Sequence, residues 1–217
     1  MATEEKLNPV EEAKVRSNFL RGAIGEELAD GNDFFGKDSV HLLKTHGTYQ
    51  QDDRDARAEA RAGGGGKAEK AFIFMVRTRV PGGKLSSEQL LAELDICDEL
   101  ANGTLRITTR QGLQHHGVPK HSLQETIRRI NACKLTTLAA CGDVNRNVMC
   151  CPAPHRFDPV HDQLQALTDA LAEHFRPRTQ AYHENWLSDP ASGEHTALHG
   201  AAAAAEPART GPEARRG

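Results

Sequence analysis

The sequence predicts an α+β fold centred on a split βαβ sheet of the ferredoxin-like kind. Three observations carry this prediction. Residues 71–79, "AFIFMVRTR", are rich in strand formers and are closed by the breaker "PGG". Two helical segments, "SSEQLLAELDICDELANG" and "HSLQETIRRINACK", alternate with the strand-like runs "TLRITTR", "GLQHHGV" and "LTTLAAC". The resulting order is β-α-β-β-α-β.

Each element has a local reason. "LNPVEEAKVRSNFLRGAIGEELADG" opens with an Asn-Pro start and keeps helical spacing to Gly31. "KDSVHLLKTHG" is a second short helix, capped by Asp38 or Ser39 and stopped by Gly47. "TYQQDDRDARAEARAGGGGKAEK" is polar, with four consecutive glycines, and reads as an extended arm and flexible linker. In the middle, Ser86 with Gln89 three residues on forms a capping box, and Leu90, Leu91, Leu94 and Leu100 fit helical spacing up to Gly103. Gln111-Gly112 marks a tight turn between two strands, and Leu123, Ile127 and Ile130 give the next helix one apolar face. "GDVNRNVMCCPAP" is a polar loop, followed by a helix from Pro159 through "DPVHDQLQALTDALAEHF". The organisation predicted is a helical N-terminal arm (1–61), a Gly-rich linker (62–70), a ferredoxin-like half domain (71–140), the start of a further domain (141–190) and a disordered Ala/Pro/Arg tail (191–217).

Composition excludes several function classes. The chain has 217 residues, 27 Lys and Arg against 30 Asp and Glu, and a formal net charge of -3. No global basic field exists for nucleic acid or an anionic membrane, so any cationic site is local. No apolar run reaches the roughly 18 residues of a membrane span, and no signal-like segment follows the N-terminus. The expected compartment is the cytoplasm. The five cysteines include no C-x-x-C pair, which argues against a disulfide framework or a zinc knuckle and for small buried hydrophobes.

Strand parity then separates two faces. In "TLRITTR", Leu105 and Ile107 share the face expected under the helices, while Arg106, Thr108 and Arg110 share the other. In "AFIFMVRTR", Phe72, Phe74 and Val76 belong to the covered face, and Arg77 and Arg79 to the open one. With "GLQHHGV" between these strands, about 10 Å separates the outer two, a gap that long arginines bridge. Up to four guanidiniums on one face repel unless something anionic compensates. Guanidinium forks bind carboxylates and oxyanions bidentately, so the missing partner is a polyanion. A solvated charged face, or an acidic segment of a second domain, is the competing reading. His115 and His116 point to opposite faces; His116 has the parity of Gln114 and joins the arginines. Arg146, in the loop, is weakly marked, and the adjacent Cys150 and Cys151 read as structural or incidental.

These residues resemble the siroheme-dependent sulfite and nitrite reductases. The matching segments are "SNFLRGAIGEEL", "HGTYQQDDRDARAE", "FMVRTRVPGGKL", "GTLRITTRQGLQHHGV" and "GDVNRNVMCCPAP". The resemblance runs from about Ser17 to Trp186. It implies that 141–190 begins a siroheme and substrate domain. Siroheme is an iron tetrapyrrole rich in carboxylates, and Arg106, Thr108, Arg110, Gln111, Gln114 and His116 would hold it. Arg77 and Arg146 would reach the substrate at its distal face. The implied reaction is six-electron reduction of sulfite to sulfide, with electrons from an NADPH-linked flavoprotein or a ferredoxin.

The sequence departs from that family in its cluster motifs and its ending, and the lysine pair of the family's substrate site lies beyond the matched region. The family's [4Fe–4S] cluster is held by C-x5-C and C-x3-C motifs, and neither occurs here; the nearest spacings are Cys133-x7-Cys141 and the Cys150-Cys151 pair. No metal ligand of this chain is therefore expected. The Ala-rich ending reads as a truncated or frame-shifted continuation, and the isolated chain is expected not to turn over sulfite. Two further readings are nitrite as substrate and a non-catalytic anion- or RNA-binding sheet. The RNA reading is weakened because Phe72 and Phe74 have the parity of the covered face.

Overall fold

The computed structural model describes residues 7–63, 69–153 and 157–188. Residues 64–68, with the rest of the glycine run, and the Ala/Pro/Arg tail lie outside these. The sheet has four antiparallel strands: β1 (Thr48–Asp52), β2 (Phe72–Thr78), β3 (Leu105–Ile107) and β4 (Leu113–Val118). Their spatial order is β1-β2-β4-β3. β4 lies between β2 and β3, as the split arrangement requires.

Helices α5 (Ser87–Leu100) and α6 (Leu123–Ala132) cover one face of the sheet. Phe74, Val76 and Val118 pack there against Ile96, Leu123, Ile127 and Ile130, all fully buried. α5 starts at the anticipated capping box, with Ser86 and Gln89 bonded reciprocally.

The arm is part of the same core. Its helices are α1 (Pro9–Arg16), α2 (Ile24–Leu28) and α3 (Lys37–Thr45). Ile24, Leu42 and Leu43 join the core cluster, as do Tyr182, Trp186 and Leu187 from the other end of the described chain. The polar helix α4 (Arg54–Ala62) lies outside the core, with Asp53 as its N-cap. α7 (Pro159–His174) follows the loop and packs near residues 81–83.

Four features differ from the sequence reading. The single helix expected up to Gly31 is broken. Asn18, Phe19 and Leu20 take φ of 49°, 56° and 73°, a left-handed turn that separates α1 from α2. Such a turn is unfavourable for side-chain-bearing residues and is held from outside: Thr179 Oγ1 donates to the Phe19 carbonyl at 2.6 Å, and Asn185 Nδ2 to the Arg21 carbonyl at 3.0 Å. Residues 48–52, read as an extended arm, form the edge strand β1. Residues 135–141, read as a strand, make only one bridge, Arg79 to Thr136. The edge of β2 is already taken by β1 from Phe72 to Val76, so the later segment pairs beyond it. Ile107 is 79% exposed; it ends a three-residue edge strand and does not join the core.

Gly47 lets these segments meet. Its φ is +82°, and a Cβ there would lie 2.2 Å from the Thr137 carbonyl oxygen. Beside it, the fully buried His46 accepts from Trp186 Nε1 at Nδ1, 2.8 Å away. Indole is only a donor, so His46 is the neutral tautomer protonated on Nε2. Nε2 reaches no partner at hydrogen-bonding geometry, although the Leu20 carbonyl favours the charged ring slightly. Burial dominates and lowers the His46 pKa to about 4.

A folded pKa below the unfolded value of about 6.5 gives stability that is present above pH 6.5 and lost as pH falls towards 4. The expected loss is about 3 kcal/mol. Urea midpoints measured from pH 7 to pH 4.5 should fall. His46→Asn, which still accepts from the indole but does not titrate, should flatten part of that slope.

Candidate functional site

The register of the sheet builds a polar row on the face opposite α5 and α6. Arg77 of β2 and Arg106 of β3 are both cross-strand partners of Gln114 of β4. Facing partners in an antiparallel sheet point to one side, so the three side chains form one line. The neighbouring row, Val76–His115–Leu105, faces the helices. There His115 Nε2 and Glu93 Oε2 of α5 lie 2.5 Å apart, both fully buried, and Thr78 Oγ1 donates to the same carboxylate oxygen at 3.2 Å. His115 is thus a structural histidine beneath the site.

Arg77 is held in place. With the Gln114 amide oriented by its hydrogen bonds, its oxygen accepts from Arg77 Nε at 3.0 Å and from Nη2 at 2.5 Å. Arg77 Nη1 donates to Cys141 Sγ at 3.0 Å. Arg77, Thr108, Arg110 and Arg146 line one cleft of about 310 Å³ together with Asn147 and Gly112. Gly112 is there because a Cβ would approach the Thr78 carbonyl oxygen to 2.8 Å.

The remaining expected residues divide. Arg106 stands exposed in the polar row beside the cleft. His116 is on the same face; burial first, then the charges of Arg106, His115 and Arg77, hold it below its ordinary pKa. Its Nε2 is buried with no partner. Gln111 turns away: its amide donates to the Cys150 carbonyl at 2.7 Å and its oxygen accepts from the Cys150 amide at 3.3 Å. Arg79 does not join the arginines. It is buried, donates to the Ala172 carbonyl of α7 at 2.9 Å, and has its pKa lowered mainly by that burial. Among the described residues, Arg77, Arg106, Arg110 and Arg146 make no ion pair with a carboxylate. Nor do any three His, Cys, Asp or Glu side chains among them gather as a metal site.

Three residues of the site escaped the sequence reading. Asn147 is buried and donates to the Val80 carbonyl at 2.7 Å and the Arg110 carbonyl at 2.8 Å. Arg110 Nη1 returns a weaker bond to the Asn147 carbonyl. These contacts pin the Arg146 loop to the β3–β4 turn. Tyr49 faces Met75 across β1 and β2, so it has the parity of Arg77. Its phenol is pushed up to about 12 by burial and by its bond to Cys141, against the pull of Arg77 and Arg146. Cys141 is fully buried beside Arg77. The available clue for Tyr49 was parity, which needed the strand assignment of 48–52.

Residues 66–133 match the family model of the nitrite/sulfite reductase ferredoxin-like half domain. Sulfite reductase [NADPH] hemoprotein beta-components of Staphylococcus saprophyticus and Oceanobacillus iheyensis are 48% and 47% identical, each over 184 residues and 84% of this chain. Residues 66–133 thus form a nitrite/sulfite reductase ferredoxin-like half domain. The chain spans about a third of the length of these relatives, 32% and 31%. The structure of the Mycobacterium tuberculosis NirA protein superposes with a TM-score of 0.64 at 26% identity, over 82% of this chain and 34% of that one. These relatives are named as reductases and as hemoproteins. Among the described residues, no helix is long and apolar enough to cross a membrane.

Removing the Asn147 amide deletes two hydrogen bonds, one to the Arg110 carbonyl and one to the Val80 carbonyl, which keeps its bond from the Gly83 amide, at a cost of about 1–3 kcal/mol. Asn147→Ala should lower the urea midpoint accordingly and speed proteolysis within residues 142–149. Unchanged cleavage there would mean that other contacts hold the loop.

Proposed function

We propose that this chain supplies the siroheme-facing and substrate-facing surface of an assimilatory sulfite reductase, which reduces sulfite to sulfide by six electrons. The observation that carries this is the arginine face: four guanidiniums around one row and one cleft, with no carboxylate partner among the described residues. Arginines gathered without acidic partners call for a polyanionic ligand. The exposed heads of Arg106 and Arg110 and the unpartnered His116 Nε2 fit a ligand rich in carboxylates.

Siroheme, when bound, supplies the redox chemistry; the protein supplies orientation and electrostatics. Arg106 and Arg110 would bind its carboxylates, with Thr108 and His116 as lesser hydrogen-bonding contacts. Gln114 acts by holding Arg77, and Gln111 by holding the 150–151 loop. Arg77 and Arg146 would bind the anionic substrate. Their fixed positive charge would stabilise the negative charge that builds up as oxygen leaves. Arg77 needs little reorganisation, because Gln114 and Cys141 already orient it.

The names of the relatives favour an NADPH-linked flavoprotein as electron donor over a ferredoxin, and the reading carries with it a cytoplasmic setting. Nitrite is the second reading, since the matched half domain is described for both substrates.

Siroheme added to the purified chain should bind with a shifted absorption band. Each lost charge-assisted bond is worth about 1.5–3 kcal/mol, so Arg106→Ala and Arg110→Ala should each weaken binding about 10- to 100-fold. Affinity unchanged in both variants would sink the assignment.

A further inference from the structure

Helix α7 turns its apolar side away from the protein. Val160, Leu164, Leu167 and Leu171 lie on one face of it, with Phe175 directly after its end, and all are between 37% and 60% exposed. The side that meets the rest of the chain is small or polar instead. Thr168 and Ala172 are buried there, the Ala172 carbonyl accepts from Arg79, and Gln165 Nε2 donates to the Pro81 carbonyl at 3.2 Å. A surface helix ordinarily buries its leucines and shows its polar residues, so α7 is oriented for a second contact.

The spacing of the stripe fits another helix. Val160, Leu164, Leu167 and Leu171 follow one another at intervals of four, three and four residues, the heptad repeat by which one helix packs along another. Leu90, Leu91 and Leu94 of α5 are exposed as well, but they span little more than one turn.

Charge selects the occupant. Gln163 and Ala170, which flank the stripe on its open side, are uncharged, so nothing along the seam repels an identical helix. Asp162, Asp169 and Glu173 lie across the helix from it, by the rotation of successive residues. The two ends of the segment differ, with Asp158 and Asp162 at the start and Arg176 and Arg178 beyond the end. Antiparallel pairing sets the acidic start against the basic end and opposes the helix dipoles. Parallel pairing would set Asp158 and Asp162 beside their own copies.

We infer that α7 is the interface of a two-fold symmetric dimer, packed antiparallel against α7 of a second copy of this chain. Val160 then layers on Leu171 of the second copy, and Leu164 on its Leu167. The contact is self-complementary, as closed two-fold symmetry demands. It is also small. Five side chains from each copy fall short of the roughly 20–30 residues of a standard interface. The dimer is therefore weak, with a dissociation constant on the order of 10–100 µM.

Sedimentation velocity of the full chain from about 5 to about 500 µM spans that range and tests the inference. The wild type should pass from monomer to dimer and no further. Leu164 and Leu167 are exposed in the monomer, so Leu164→Glu with Leu167→Glu, or Leu164→Lys with Leu167→Lys, should leave the urea midpoint nearly unchanged. Each pair of substitutions should weaken association by about tenfold or more, because like charges then meet across the seam. The Glu and Lys variants mixed should dimerise again. A wild type that stays monomeric at the highest concentration would overturn the proposal and leave the seam to further residues of a longer polypeptide. Species larger than a dimer, variants that associate like the wild type, or a mixture that fails to associate would overturn it too. So would flotation of a monomer with phosphatidylglycerol vesicles through the same leucines, which would assign the seam to a membrane surface.

Discussion

The cationic face depends on the register between β2 and β4. Gln114 must sit opposite Arg77 on one strand and Arg106 on the other, or the row does not exist. A slip of one residue would exchange the faces of the strand. It would send His115 out among the arginines and Gln114 in towards Glu93. The register is set from beneath. Glu93 of α5 takes bonds from both Thr78 of β2 and His115 of β4, so one buried carboxylate ties the two strands to the helix. A shift of pairing falls between Phe74 and Val76. The Arg77–Gln114 pairing lies on the other side of it, in phase with the Glu93 clasp. The polar chemistry outside and the buried His115–Glu93 hydrogen bond inside are thus two consequences of one alternating strand.

Part of this was legible in the sequence, and the reason is periodicity. The capping box at Ser86 and the opposite faces of Arg106 and Leu105 follow from short, local patterns that tertiary packing leaves intact. The failures occurred where a long-range contact decides. "TYQQD" has no alternating apolar pattern, because an edge strand above a polar face needs none; only its pairing with Phe72–Val76 makes it a strand. "LTTLAAC" has strand-forming residues but arrives at an edge already taken. Arg79 has the parity of Arg77, yet α7 covers it, and α7 is far away in sequence. The left-handed turn at Asn18–Leu20 carries no glycine until Gly22 and is imposed by residues 179–185. In the site itself, charge was legible and its scaffolding was not. Arginines announce themselves; the amides of Asn147 and Gln114 that aim them do not.

The two loop cysteines belong to the same contrast. Spacing alone made them incidental. The clasp of the Cys150 backbone with Gln111 appears only once the loop is brought back against the β3–β4 turn.

The position of β1 bears on what counts as the smallest autonomous unit of this fold. The matched half domain begins at residue 66, after β1 has already been used. Cut there, β2 would lose its neighbour along Phe72–Val76 and present a bare row of amides and carbonyls beside apolar residues. Such an edge recruits other chains. The arm that precedes the half domain in sequence acts in the folded protein as its guard against edge-to-edge aggregation.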